Sequence, residues 1–213
     1  FMQQFLVAPL FAQVRFGEWD TILSTSEPPS ELPYPRAIWH FARGMALVRQ
    51  RKAGEGQKEY LKLQAIARDP ALEKVVMFDI NRADRILDVA ESMLRGEIAL
   101  ARGDRKSGIA ALRKAVAAED KLSYNEPPDW PLPVRPYLGA ALLDAGRAKE
   151  ALVVYEEDLR KYPENGWSLY GQSLAQSKLR QIDAAVDSRR RFDAAWQWAD
   201  VKLETLRRCA PPR

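Results

Sequence analysis

LGAALLDAGRAKEALVVYEEDLRKYP, residues 138–163, is the stretch whose reading decides the fold. Leu138, Gly139 and Leu142 fall on one helical face, Gly146 interrupts the pattern, and Ala148, Ala151 and Tyr155 resume it until Pro163. The spacing predicts two antiparallel helices joined by a tight turn. Small residues, Gly139 and Ala151, suit a place where two backbones cross closely, and Leu142 and Tyr155 fill the space beside it. Gly146 permits the left-handed turn between the helices.

The pattern recurs. LRGEIALARGDRKSGIAALRKAVAAED, residues 94–120, carries Gly96, Gly103, Gly108 and Leu112 where the first stretch has Gly139, Gly146, Ala151 and Tyr155, with Ala115 on the same face. The spacing of small residue, turn glycine, alanine, aromatic and proline resembles the tetratricopeptide repeat, whose period is about 34 residues. Gly96 and Gly139 are 43 positions apart, so the extra residues fall in the intervening loop, YNEPPDWPLPVRP at 124–136. We read that loop as a stiff proline-rich spacer between repeats and not as a domain break. Downstream, 166–199 gives a weaker copy with Ala185 and Phe192, but Gln172, Ser173, Gln176 and Arg180 stand where small or apolar residues are expected. Upstream, YPRAIWHFARGMALVRQ opens another pair at Gly44, whose second helix keeps Tyr60 but whose turn glycine is replaced by Arg51. A first pair surrounds Gly17, Trp19 and Ile22, and a second connector, 24–35, is also proline-rich.

The expected fold is all-α, a right-handed α–α superhelix of about five helix-turn-helix pairs forming a single solenoid over 1–213. The pairs are placed at 2–25, 34–69, 82–120, 132–162 and 166–198, with a last helix from about 182 that continues toward 207 and caps the array.

Together RFGEWDTIL, LPYPRAIWHFARGMAL, EPPDW and YPENGWSLYG resemble the C-terminal region of larger bacterial tetratricopeptide proteins. That resemblance implies further helical repeats before residue 1, rich in His and Cys, and a protein that is often exported. The cytoplasm and the periplasm both remain open. No catalytic residue carries over.

Composition narrows the function classes. Apolar residues make up 46% and charged residues 29% of the chain, enough for a sizeable core and against disorder. The net charge of +4 does not argue for nucleic acid. A single cysteine, Cys209, forms no internal disulfide, and with one histidine, His40, the chain lacks the ligands of a zinc site. No apolar run approaches the ~18 residues of a membrane span. Phosphate-binding loops, nucleophile elbows and zincin motifs are missing. We therefore expect no enzyme, no cofactor, no metal, no nucleic acid and no membrane insertion.

Tetratricopeptide arrays line their concave face with the first helix of each pair. By this resemblance the lining comprises Ile38, Phe41, Met45, Val48 and Arg49, then Met93, Glu97, Leu100 and Ala101, then Trp167, Tyr170, Leu174, Ser177 and Lys178. This face is apolar and aromatic, without the cationic clamp that grips a peptide carboxylate. It suits an amphipathic helix or extended peptide. The competing reading is that the protein's own N-terminal region or a second copy fills it. The function expected is a non-catalytic interaction scaffold; the alternative is the structural C-terminal half of a larger protein whose His/Cys-rich N-terminal region binds metal or carries the activity. Trp130 is either an exposed anchor or, as we favour, the buried pin of a loop folded back on the helices. Asp129 beside it is read as a turn cap, and His40 as a core or boundary histidine. The basic clusters at 188–192 and 206–208 are read as solvated faces, since acidic residues accompany them.

Overall fold

The computed structural model describes residues 3–200 and Leu203; Cys209, the 206–208 cluster and the expected helical extension to 207 lie outside the described residues. Among those described, ten α-helices follow one another in adjacent, packed pairs: α1 (Gln3–Phe16) with α2 (Trp19–Ser24), α3 (Pro33–Arg49) with α4 (Ala53–Ala67), α5 (Ala83–Ala101) with α6 (Arg105–Glu119), α7 (Arg135–Asp144) with α8 (Ala148–Lys161), and α9 (Gly166–Lys178) with α10 (Ile182–Ala195). The chain is mostly helical. One departure interrupts it: a 3₁₀ turn, Pro70–Lys74, leads into a two-stranded hairpin, β1 (Val76–Met77) and β2 (Asn81–Arg82), before α5.

The five turns inside the pairs share one construction. Each contains one residue of positive φ: Gly17, Arg51, Gly103, Gly146 and Arg180. In each, the next residue donates its backbone N–H five residues back: Glu18 to Gln13, Lys52 to Leu47, Asp104 to Ala99, Arg147 to Leu142 and Gln181 to Gln176, at 2.8–3.0 Å. This is the Schellman closure, which satisfies the orphan carbonyls at a helix end. Gly17 and Arg51 are 34 positions apart, and so are Gly146 and Arg180. The position where the sequence shows Arg51 instead of glycine still makes the left-handed turn. That costs on the order of 1–2 kcal/mol of backbone strain.

Other local choices follow from ordinary rules. Prolines open α3 and α7 in the first helical turn, where a missing N–H costs nothing. Asp104 caps α6 by accepting from the Ser107 amide at 3.0 Å. Gly139 of α7 faces Tyr155 of α8 so closely that an added Cβ would come within 2.5 Å of the ring.

The chain divides into two compact units, one through Leu132 and one from Pro133. In the first, α1 packs on α3 and α3 on α5, with α4 behind α3 and α5. Its core holds Tyr34, Ile38, Phe41, Met45, Leu63, Ile86, Leu87, Met93 and Trp130. In the second, α8 packs against α7 and α9, and α9 against α10, around Leu142, Tyr155, Leu169 and Phe192. The boundary between the two units falls inside the proline-rich segment 124–136, which was expected to be a spacer between repeats. The physical reason is that the segment through Leu132 spends its apolar residues, Trp130 and Leu132, on the first unit's core.

Candidate functional site

The residues expected to line a groove separate into two sets. In the first unit Ile38, Phe41, Met45 and Met93 have at most 1% of their surface exposed. They are core, not lining. Glu97 is buried too, its carboxylate 2.7 Å from the Arg49 guanidinium, a pair that ties α3 to α5. An open groove on these five residues is corrected to a sealed interior. The cause is legible at Phe41, whose ring is covered by Trp130.

Trp130 belongs to the proline-rich segment, which returns onto the first unit as a strap. Its indole meets Phe11 of α1 and Phe41 of α3 edge-on, both centroids at 5.3 Å, and its Nε1 donates to the Leu132 carbonyl at 2.6 Å. It is 2% exposed. Asp129 is equally buried and is the hub of a polar network, correcting its reading as a turn cap. Its carboxylate accepts from Asn81 Nδ2 at 2.8 Å and Asn125 Nδ2 at 3.1 Å, and its carbonyl accepts from Gln4 Nε2 at 3.0 Å. Tyr34 donates to Gln4 Oε1 at 2.8 Å and so fixes that amide. Asn81 also exchanges two hydrogen bonds with the Ser123 backbone. Burial pushes the Asp129 carboxyl above its usual range, against the pull of the two asparagine hydrogen bonds. Burial likewise pushes the Tyr34 phenol up, with the Asp129 charge adding to it.

The second buried cluster surrounds His40. Its Nδ1 lies 2.6 Å from Glu59 Oε2 on α4, and its Nε2 lies 3.8 Å from Glu27 in the first connector. Lys62 stands 3.3 Å from the other Glu59 oxygen, and Arg36 grips Glu27 at 2.7 Å. Trp39 Nε1 donates to the Thr25 carbonyl and an Arg43 N–H to the Leu23 carbonyl. Burial works to raise Glu59, but the His40 hydrogen bond and the His40 and Lys62 charges outweigh it and hold the carboxyl below its ordinary value. Residues 36, 39, 40 and 43 thus form one face of α3 that staples the connector down. Among the described residues no group of three or more His, Cys, Asp and Glu is arranged to hold a metal ion.

In the second unit the expected lining residues stay at the surface. Trp167, Tyr170 and Leu174 are half-buried on α9, and Ser177 and Lys178 are exposed. Trp167 meets Trp196 edge-on at 4.6 Å, Tyr170 tilts against Phe192 at 5.3 Å, and Phe192 stacks with Trp196 at 5.6 Å. The Arg189 guanidinium lies 5.7 Å from the Tyr170 ring and 5.2 Å from Phe192. Leu169, Phe192 and Leu203 form the core beneath. The start of α9 is fixed by the buried Asp158 of α8, which accepts from Asn165 at 2.7 Å and Ser168 at 2.5 Å. Gly166 leaves room for the Trp196 ring. Trp198 stands 90% exposed nearby in sequence. The sequence reading missed Trp196 and Trp198; two tryptophans two positions apart, separated only by Gln197, were the available signal. Nothing in the sequence pointed to Gln4, Asn81 and Tyr34, which meet only through long-range folding.

No helix among the described residues is long and apolar enough to cross a membrane. No protein-family model, curated protein or solved structure matches the chain.

Proposed function

We propose that the protein is a non-catalytic interaction scaffold whose helix pairs are tetratricopeptide-type repeats wound as a right-handed superhelix. Two of the four separations between successive turn residues, Gly17 to Arg51 and Gly146 to Arg180, are 34 positions and support the repeat reading. The single observation that carries the function is the contrast between the two units. The first buries its expected groove residues; the second leaves Trp167, Tyr170 and Leu174 half-exposed on a preorganised aromatic surface flanked by Arg189. Rigid aromatic side chains with an adjacent guanidinium are the usual high-energy contacts of a recognition surface. The ligand we propose is an amphipathic helix or extended peptide, which fits an apolar face with a polar rim. Panning a displayed peptide library against the full chain tests this. Selected peptides are expected to lose binding at least about tenfold on Trp167→Ala with Tyr170→Ala. Peptides indifferent to both changes would contradict the assignment.

A second reading, a structural half of a larger assembly that carries its activity elsewhere, is favoured by α1. That helix packs Val7, Leu10, Phe11 and Val14 inward, yet exposes Phe5, Leu6 and Phe16 on the other side. Exposed large apolar side chains on the outward side of a helix suit a second contact there. Solution scattering of the full chain with Phe5→Ser and Leu6→Ser, compared with the wild type, tests whether this face drives self-association.

A further inference from the structure

The strap at 123–132 is attached to the first unit in an unusual way. Its residues 123–128 are exposed or half-exposed, and only Asp129, Trp130 and Leu132 of the segment are fully buried. It has no regular secondary structure. No backbone–backbone hydrogen bond ties residues 123–132 to any helix among the described residues. Every polar tie to the helices and the hairpin runs through a side chain: Gln4 to the Asp129 carbonyl, Asn81 to the Asp129 carboxylate, and Asn81 to both backbone groups of Ser123. The apolar ties are one indole between two phenyl rings and, at the end of the strap, the buried Leu132. Few backbone bonds and high exposure mark a segment of low local stability. A single aromatic anchor with neighbouring polar readers marks a recognised peptide.

We propose that residues 123–132 are a built-in ligand, and that the surface beneath them is a reader of an acidic–aromatic peptide carrying Asp immediately before Trp. Phe11 and Phe41 form the slot for the indole. Asn81 reads the aspartate side chain, and Gln4, oriented by the Tyr34 hydroxyl, reads its carbonyl. The site thus assigns one contact to each of three successive features of the ligand: carboxylate, peptide carbonyl, aromatic ring. Asp129 has neutral amides and no cation as its hydrogen-bond partners, so the strap is bound without an ion pair locking it in place. Burial also disfavours its charged form. The strap therefore closes the first unit's surface in cis, and a partner peptide of the same chemistry competes with it in trans. This site is separate from the aromatic surface on α9 and α10, and either stands if the other fails.

The test uses the full chain and a fluorescein-labelled peptide of residues 123–133, SYNEPPDWPLP. Anisotropy titrations compare the wild type with Trp130→Ala. The emptied slot of the variant is expected to bind the peptide saturably, at least about tenfold more tightly than the wild type, whose open fraction is small. Replacing the peptide's own tryptophan by alanine is expected to abolish binding, and adding Asn81→Ala to the variant to weaken it. A folded Trp130→Ala chain that takes up the peptide no better than the wild type, or takes up the tryptophan-free peptide equally well, overturns the proposal. Should Trp130→Ala fail to fold, excess peptide is expected to restore its helical circular dichroism and raise its melting temperature; absence of rescue also overturns it.

Discussion

The ring of Trp130 meets the ring of Phe41 edge-on at 5.3 Å, although 89 positions separate them in the chain. That contact converts a residue with the spacing of a groove-lining position into a core residue. It also fixes where a proline-rich segment goes. Truncating Trp130 removes a large buried aromatic and leaves a cavity between Phe11 and Phe41. Trp130→Ala should cost about 3–5 kcal/mol in urea unfolding. Trp130→Phe should cost much less, because it keeps an edge-on ring in the slot.

His40 and Glu59 form a buried pair across α3 and α4. Removing one partner leaves the other buried with an unmet hydrogen bond, so His40→Ala should destabilise by about 2 kcal/mol or more. Replacing both by apolar residues of similar volume should be closer to neutral than either single change. A double-mutant cycle by chemical denaturation measures the difference, and additivity would refute the coupling.

Two carboxylates give opposite pH arms. Glu59 is held below its ordinary value in the folded chain, so its contribution is present above the ordinary carboxylate range, about pH 4.3, and is lost as pH falls through that range. Asp129 is raised, so the folded state binds its proton more readily than the unfolded state does. Its contribution becomes less favourable as pH rises through the carboxylate range. Urea midpoints measured from pH 3 upward should show a shallower acid loss for Glu59→Gln than for wild type. Asp129→Asn should steepen it, because the opposing arm is gone.

The turn residues make a sharper prediction. Arg51 and Arg180 adopt φ of 63° and 60°, the conformation that Gly103 and Gly146 adopt without a Cβ. Arg180→Gly should therefore be neutral to stabilising by up to about 1 kcal/mol, and Gly146→Ala destabilising by about 1 kcal/mol. Thermal melts of the two variants check the sign.

Helix placement was largely legible from sequence because it depends on local rules. Gly103, Gly146, Pro163 and the small residues at 139 and 151 act over one or two turns. The left-handed turn at Arg51 was less so, since arginine hides the conformation that the backbone still adopts. The hairpin at 76–82 left no alternating pattern long enough to read. The exposure of the expected lining residues was legible only in part. Trp167 and Tyr170 are half-covered by Trp196 and Phe192 of their own unit, whereas Ile38, Phe41, Met45 and Met93 are buried among helices and a strap whose course depends on contacts more than a hundred positions apart, such as Gln4 with Asp129. Helical periodicity tells which face a residue occupies, but not what lies on it.

We propose that recognition occurs on the aromatic surface of α9 and α10. It is tested most directly by crosslinking this chain as bait to partners in the native host and mapping the linked peptides. Wild type, Trp167→Ala with Tyr170→Ala, and Phe41→Leu are run in parallel. The account predicts a partner linked through lysines near the surface, such as Lys178, lost with the double change and retained with Phe41→Leu. A partner linked only to the first unit, and indifferent to Trp167 and Tyr170, would contradict it.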